Sequence, residues 1–376
     1  MVKNLTLVGG GHAHLTCLKN LQEFISRGHR VTLIGPSSYH YYSGMGPGML
    51  SGIYPPEEVR FHVKKMAEDR GGIFIEDKVI GIDPVKKALH LQSGKQLNYD
   101  VVSFNTGSEV PARSLFSAPR ENIVPVKPVF NLLQSRRSIL TGLKEKAMSF
   151  VVIGGGPAGL EVTANLWRLV SEDQGRAKIT LVAGGQLLGS FPKRVRELAL
   201  RSLTARGITV LEGKHGKEMT RQGISLTDGS ALPFDFAFVA LGVQASPLFR
   251  DSGIPTGPDD GLPVNSYLQS VVHPEMFGGG DCISFAERPL AKVGVYAVRQ
   301  NPVLFHNLLA ALEGKELKTF VPQREYMLIF NLGNGRGILW KKNFIWEGRL
   351  AFLLKDYIDR KFMRRFQVSG EREEID

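Results

Sequence analysis

A chain of 376 residues with 43% apolar and 22% charged side chains has room for two or three domains, each with its own core, and no low-complexity tract or short repeat interrupts it. Its longest apolar stretches, 150–160 and 234–243, fall short of the roughly 20 residues of a membrane-spanning helix, and the early apolar run meets a glycine turn by Gly9, as a strand does and a signal peptide does not. The net charge of +11 has no nucleic-acid motif beside it, and the two distant cysteines, Cys17 and Cys282, argue against a disulfide framework, a CxxC pair, a thiol relay or a metal site.

In chain order, "LTLVGGGHAHLTCLKNL" (5–21) reads as an apolar strand, a Gly-rich turn and an amphipathic helix, followed by a second strand over Val31–Ile34. A Gly/Pro-rich insert, "YHYYSGMGPGMLSGIYPP", comes next, then short strands and turns that end in a strand running into Asn105, Thr106 and Gly107. A helix is expected over Val129–Glu145. "VVIGGGPAGLEVTANL" (151–166) then repeats the opening scheme, with its second strand over Ile179–Val182 and its last strand running into Gly242. "LNYDVVSFNTGS" and "LPFDFAFVALGV" are parallel ends of two similar modules. One Gly-rich strand-to-helix turn is weak evidence; two, each between parallel-type strands, predict two dinucleotide sites, where backbone N–H groups and a helix N-terminus meet a pyrophosphate.

"MFGGGDCISF" returns the chain to the first module, and "KVGVYAVRQNPVLFHNLLAALEG" supplies a helix. The final segment, "FIWEGRLAFLLKDYIDRKFMRRF", carries Leu350, Leu354, Tyr357, Ile358, Phe362 and Phe366 at helical spacing with basic residues between them. From Arg336 to Arg365 nine Lys/Arg stand against three acids, a local balance of +6. A basic amphipathic helix of this kind either packs on the protein's own core or docks on an anionic bilayer.

The order of GGGxxx, the N-T-G turn, GGGPAG, the turn at Gly242 and GGGD at Gly278–Asp281 resembles the flavoproteins with two dinucleotide-binding domains, over essentially all of residues 1–366. Within these, the missing thiol pair and the basic helix look most similar to type II NADH dehydrogenases. "YSGMGPGMLSGIY", "KVGVYAVRQNPVL" and "DYIDRKFMRRF" are also similar to the flavoprotein module fused in some organisms to selenide, water dikinase.

The resemblance implies an α/β fold of two Rossmann-like domains: FAD on 1–115 and 246–325, NADH or NADPH on 116–245, and a C-terminal membrane-association or dimerisation segment over 326–376. For FAD it points to Gly9, Gly10, Gly11, His12, Ser37, Pro47, Thr106, Gly107, Gly280, Asp281 and Val293. Asp281 would take a ribityl hydroxyl, and the helix starting near Lys292 and Val293 would direct its dipole at the flavin edge that gains charge on reduction. For NAD(P) it points to Gly154, Gly156, Pro157, Gly159, Ala183 and Gly242. Glu161 and Lys292 are the catalytic candidates; Tyr296, Arg299 and Gln300 are the acceptor candidates.

Departures from the pattern bear on these roles. The last glycine of the first motif is His14, which implies looser helix–strand packing. The acid that ordinarily ends each second strand is replaced by Gly35 and by Ala183, leaving Ser37 or backbone groups to hold one ribose and the choice of nicotinamide cofactor open. In "GVYAVR", Val295 and Arg299 stand where the dehydrogenases carry glutamines, which weakens the quinone assignment. The expectation is a cytoplasmic FAD-dependent NAD(P)H oxidoreductase, peripheral on the inner face of a membrane and possible as a homodimer, that passes two electrons to a quinone or similar small acceptor. The alternatives are a flavin-bearing redox sensor or partner-binding module and, less favoured for want of a cysteine pair, a sulfide:quinone-type enzyme.

Overall fold

The "NLTLV" run forms β1 (Asn4–Val8), and its Gly9 turn leads through His12–His14 into the short helix α1 (Leu15–Lys19). The computed structural model describes residues 1–111, 121–220 and 223–372, so the expected division at 115/116 lies outside the described residues. β2 (Arg30–Gly35), β3 (Ile73–Glu76) and β4 (Val101–Phe104) complete the first run. The chain then crosses to β5 (Ile123–Pro125), α2 (Phe130–Glu145), β6 (Met148–Ile153), α3 (Pro157–Glu172), β7 (Ala177–Ala183), α4 (Lys193–Thr204), β8 (Thr209–Glu212) and β9 (Phe236–Val239). These strands form a parallel sheet in the order β5-β9-β6-β7-β8. The return strand, β10 (Met276–Gly278), pairs in parallel with β4 and closes the first sheet as β10-β4-β1-β2-β3. Near-continuous Val, Ile and Leu in β1, β6 and β7 suit strands covered on both faces. The fold is α/β with two Rossmann-like sheets.

α5 (Gly294–Glu313) follows, then an antiparallel sheet of β11 (Leu328–Asn331), β12 (Gly337–Lys341) and β13 (Phe344–Gly348), then α6 (Arg349–Phe366). The expected terminal helix is therefore shorter than its sequence segment. Phe344, Ile345 and Trp346 have aromatic and β-branched side chains that favour the ladder, where Trp346 pairs with Leu339.

This segment is shared between the two cores. Phe330, Leu332 and Ile338 are buried with the second module, whereas Met363 and Phe366 are buried with the first. The Gly/Pro insert bridges the modules as well: Ser51 Oγ donates to Asn165 Oδ1 of α3 at 2.8 Å, and Arg136 of α2 donates to the Leu50 carbonyl at 3.0 Å.

Candidate active site

Gly9 adopts a left-handed φ of +87°, and a side chain there would collide with the Asn105 carbonyl. The Asn105 side chain joins three segments, accepting from the Ala13 amide at 3.0 Å and donating to the Gly279 carbonyl at 2.5 Å. Gly10 lies against Val63 and Gly11 against Asn105, while Gly107 (φ +73°) is open. Gly280 (φ +76°) donates its amide to Gln300 Oε1 at 2.7 Å. Asp281 Oδ2 accepts from Lys127 Nζ and Ser108 Oγ, each at 2.7 Å, and this cation holds its carboxyl below the usual range despite burial.

His12 stands edge-on to His40 and Tyr42, with centroids 5.0 and 5.2 Å away. Burial lowers its pKa to about 4 and that of His40 to about 3, so both rings are neutral. Their Nε2 atoms have no hydrogen-bond partner among the described residues. Two buried ring nitrogens beside a paired carboxylate fit a ligand that brings its own donors and acceptors, as FAD does. Ser37 is exposed and accepts from the Tyr39 amide at 3.2 Å, Thr106 is exposed, and buried Pro47 opens the helix Gly46–Ser51.

In the second module the glycines take separate roles. Gly154 (φ +130°) makes the turn against Ala240, Gly159 lets the helix approach Gly154, and nothing lies within 4 Å of a side chain built on Gly156 or Gly242. An open Gly156 ahead of Pro157, the first residue of α3, leaves the backbone accessible to a pyrophosphate. Ala183, expected to meet the NAD(P) ribose, has its side chain fully buried against Gly155, and Gly185 is the first open position beyond it.

Register also supplies two acids that the sequence did not reveal. Glu76 lies opposite Gly35, and Glu212 opposite Ala183, each on the neighbouring strand and each already accepting hydrogen bonds, Glu76 from Ser38 and Glu212 from the Leu187 amide and Arg196.

Glu161, the fifth residue of α3, accepts the Asn331 amide on Oε1 at 2.7 Å. Desolvation raises its pKa, against the pull of Lys355. Lys355, expected on the basic outer face, instead points inward: Nζ donates to Asp359 Oδ2 at 2.6 Å and to the Gly44 carbonyl at 2.7 Å. Asp359 Oδ1 accepts from Tyr42 at 3.0 Å. Tyr42 thus links the His12 floor to a buried acid–base network drawn from α3, α6 and the insert.

The residues near α5 are less convergent. Lys292 is engaged by Asp259 at 2.6 Å and by the Ile283 carbonyl at 2.8 Å. With N-cap Val293, Gly280, Asp281, Tyr296 and Gln300 it lines a water-sized cavity of about 10 Å³. Tyr296 donates to the Gln323 carbonyl at 3.2 Å and Gln300 accepts from the Gly280 amide, so these two acceptor candidates share the cavity lining, whereas Arg299 is exposed outside it.

Two parallel sheets, each with a Gly-rich turn opening a helix, and a return strand that completes the first define an oxidoreductase architecture with two dinucleotide modules. The chain belongs to the pyridine nucleotide-disulphide oxidoreductase family, whose profile matches residues 3–306. It is 24% identical over 382 residues to a probable NADH dehydrogenase of Dictyostelium discoideum, covering 93% of this chain and 83% of that one. It is 25% identical to an external alternative NAD(P)H-ubiquinone oxidoreductase of Arabidopsis thaliana, covering 76% of this chain and 55% of the plant protein. The fold matches NDH2 from Plasmodium falciparum in complex with NADH at a TM-score of 0.82, with 14% identity and 99% of each chain covered.

Proposed function

We propose that the chain is a FAD-dependent NAD(P)H:quinone oxidoreductase that works as a peripheral protein on the inner face of a membrane. The observation that carries this reading is the hydrogen-bonded chain Lys355–Asp359–Tyr42 beside the His12 ring, with Glu161 close enough to feel the Lys355 charge. The names of the dehydrogenase and ubiquinone oxidoreductase relatives support it.

When bound, FAD takes a hydride from the nicotinamide and gives two electrons to the second substrate. Reducing a quinone with NAD(P)H also consumes one proton from outside, giving NAD(P)⁺ and quinol. Glu161 is suited to relay that proton: burial raises its pKa above the ordinary carboxylate range, and with Oε1 taken by the Asn331 amide, Oε2 is the oxygen left to take a proton up and give it away. Lys355, held charged by Asp359, steadies the carboxylate after the proton leaves. Burial lifts the Cys282 thiol above its ordinary pKa, and both cysteines are buried and free, so a thiol relay through this pair is disfavoured.

For the membrane, among the described residues seven of the seventeen exposed large apolar side chains fall between Phe344 and Ile358, on β13 and one side of α6. Nearby Lys361, Arg364 and Arg365 suit an anionic leaflet. No helix among the described residues is long and apolar enough to cross a membrane.

The purified protein should be yellow, bleach anaerobically with NADH or NADPH, and regain colour on addition of a short-chain ubiquinone. Glu161→Gln should slow the recolouring on the order of 10²-fold while bleaching changes little. A bleached protein that quinone does not recolour removes the acceptor assignment, and a yellow protein that neither nucleotide bleaches favours a sensor.

A further inference from the structure

At the end of β7 the proposed chemistry leaves a charged loop unused. Ala183-Gly184-Gly185 offers no carboxylate, the group that ordinarily takes the ribose hydroxyls and repels a 2′-phosphate. The turn after β8 fills this space instead. The Lys214 amide donates to the Ala183 carbonyl at 3.2 Å, and the Gly213 amide to the Gly185 carbonyl at 3.0 Å. The His215 ring lies over Gly184, in the space a side chain there would take, so glycine at 184 is what admits the imidazole.

The acids nearby are already engaged. Glu212, in register with Ala183, accepts from the Leu187 amide at 2.7 Å and from Arg196 at 2.6 Å. Asp228 is 2.7 Å from Lys214 Nζ, in a pair exposed enough for solvent to screen it, and its other oxygen is held by Ser230. Lys214 can therefore exchange Asp228 for a stronger anion without leaving that carboxylate unpartnered.

We propose that Lys214 and His215 read the 2′-phosphate of NADPH, so that the nucleotide module takes NADPH in preference to NADH; this rests on the second module being the pyridine-nucleotide site. A phosphate monoester carries close to two negative charges and three acceptor oxygens, enough to take donors from both side chains.

Calorimetric titration of the full chain with adenosine 2′,5′-bisphosphate and with 5′-AMP tests the proposal without a nicotinamide or turnover. The bisphosphate should bind about tenfold or more tightly than 5′-AMP. In the Lys214→Met, His215→Gln double variant that preference should fall to about twofold or less, with 5′-AMP affinity unchanged as the control on folding. Equal binding of the two probes by the unmodified chain, or a preference that survives the double substitution, overturns the proposal. Failure of both probes to bind overturns the nucleotide-site reading and this proposal with it.

Discussion

His14 occupies the place where the first glycine motif should end in glycine, and its ring fills the space between helix and strand. The ring is fully buried, with Nδ1 2.6 Å from the Gly9 carbonyl and Nε2 2.8 Å from Ser103 Oγ. Two hydrogen bonds replace the close backbone approach that Gly159 permits in the other module. His14→Ala should cost about 2–4 kcal/mol, because it opens a cavity and strands two buried polar groups. The check is a lower urea midpoint at unchanged slope; a loss below about 1 kcal/mol would mean that water replaces the ring. At this scale the glycines were legible because a positive φ or a close approach demands them. Glu76 and Glu212 were not, since which residue faces Gly35 or Ala183 depends on strand register, which one strand's sequence does not state. Lys355 was misplaced because helical spacing ranks a lysine as outward, whereas Asp359, the Gly44 carbonyl and the nearby Glu161 make its burial tolerable.

Among the elements, α6 departs furthest from its sequence. Its apolar stripe divides: Phe362 and Phe366 pack beneath the aromatic rings of Tyr42 and Phe61, whereas Leu350, Leu353, Leu354, Tyr357 and Ile358 face outward, 37–59% exposed. Core packing and surface docking are therefore both available to one helix, and removing it would disturb both. Substituting only the outer side separates them. Leu350→Ser, Leu353→Ser and Ile358→Ser together should abolish sedimentation with anionic vesicles, since each large apolar side chain buried in lipid contributes about 1.5–3 kcal/mol. The melting temperature and the bleaching by NAD(P)H should change little. Sedimentation that persists in the triple variant, or a dimer that it converts to monomer, would assign the surface to something other than lipid. Element positions for β1, α1, α3 and α5 could be read from apolar periodicity because each has one chemical environment along its length. The hairpin Gly337–Gly348 could not, because its first strand is also held by Leu328–Asn331, a pairing that its own residues do not state.

Over the whole molecule, neutral buried histidines set the acid limit of the fold. His12, His14 and His40 have pKa values lowered to about 4, 4 and 3 by burial, against 6.5 when unfolded. A base whose folded pKa is depressed contributes stability that is present above 6.5 and is lost as pH falls toward the folded value, because the unfolded chain takes up more protons. Between about pH 6 and 5 the excess approaches three protons, or on the order of 4 kcal/mol per pH unit. Urea unfolding at stepped pH measures this slope, and a value under one proton would show that these rings titrate normally in the fold. The two-module plan was legible in sequence because a duplicated motif announces itself. The use of the C-terminal segment to join both cores was not, because neither half of it resembles what it touches.

Leu354 faces out and Lys355, its neighbour, faces in, so the side of α6 that would meet lipid and the side that holds the Asp359 pair are separated by a single residue step. One step along an α-helix is a turn of about 100°. A one-residue insertion or deletion ahead of Leu354 would carry every later side chain around by that angle, turning charge toward the hydrocarbon and leucine toward Tyr42. Point substitutions can remove one of these properties and spare the other, whereas a change of length removes both. Over lineages, then, the stretch from Gly348 to Phe366 should vary freely in residue type on its outer side and scarcely at all in length.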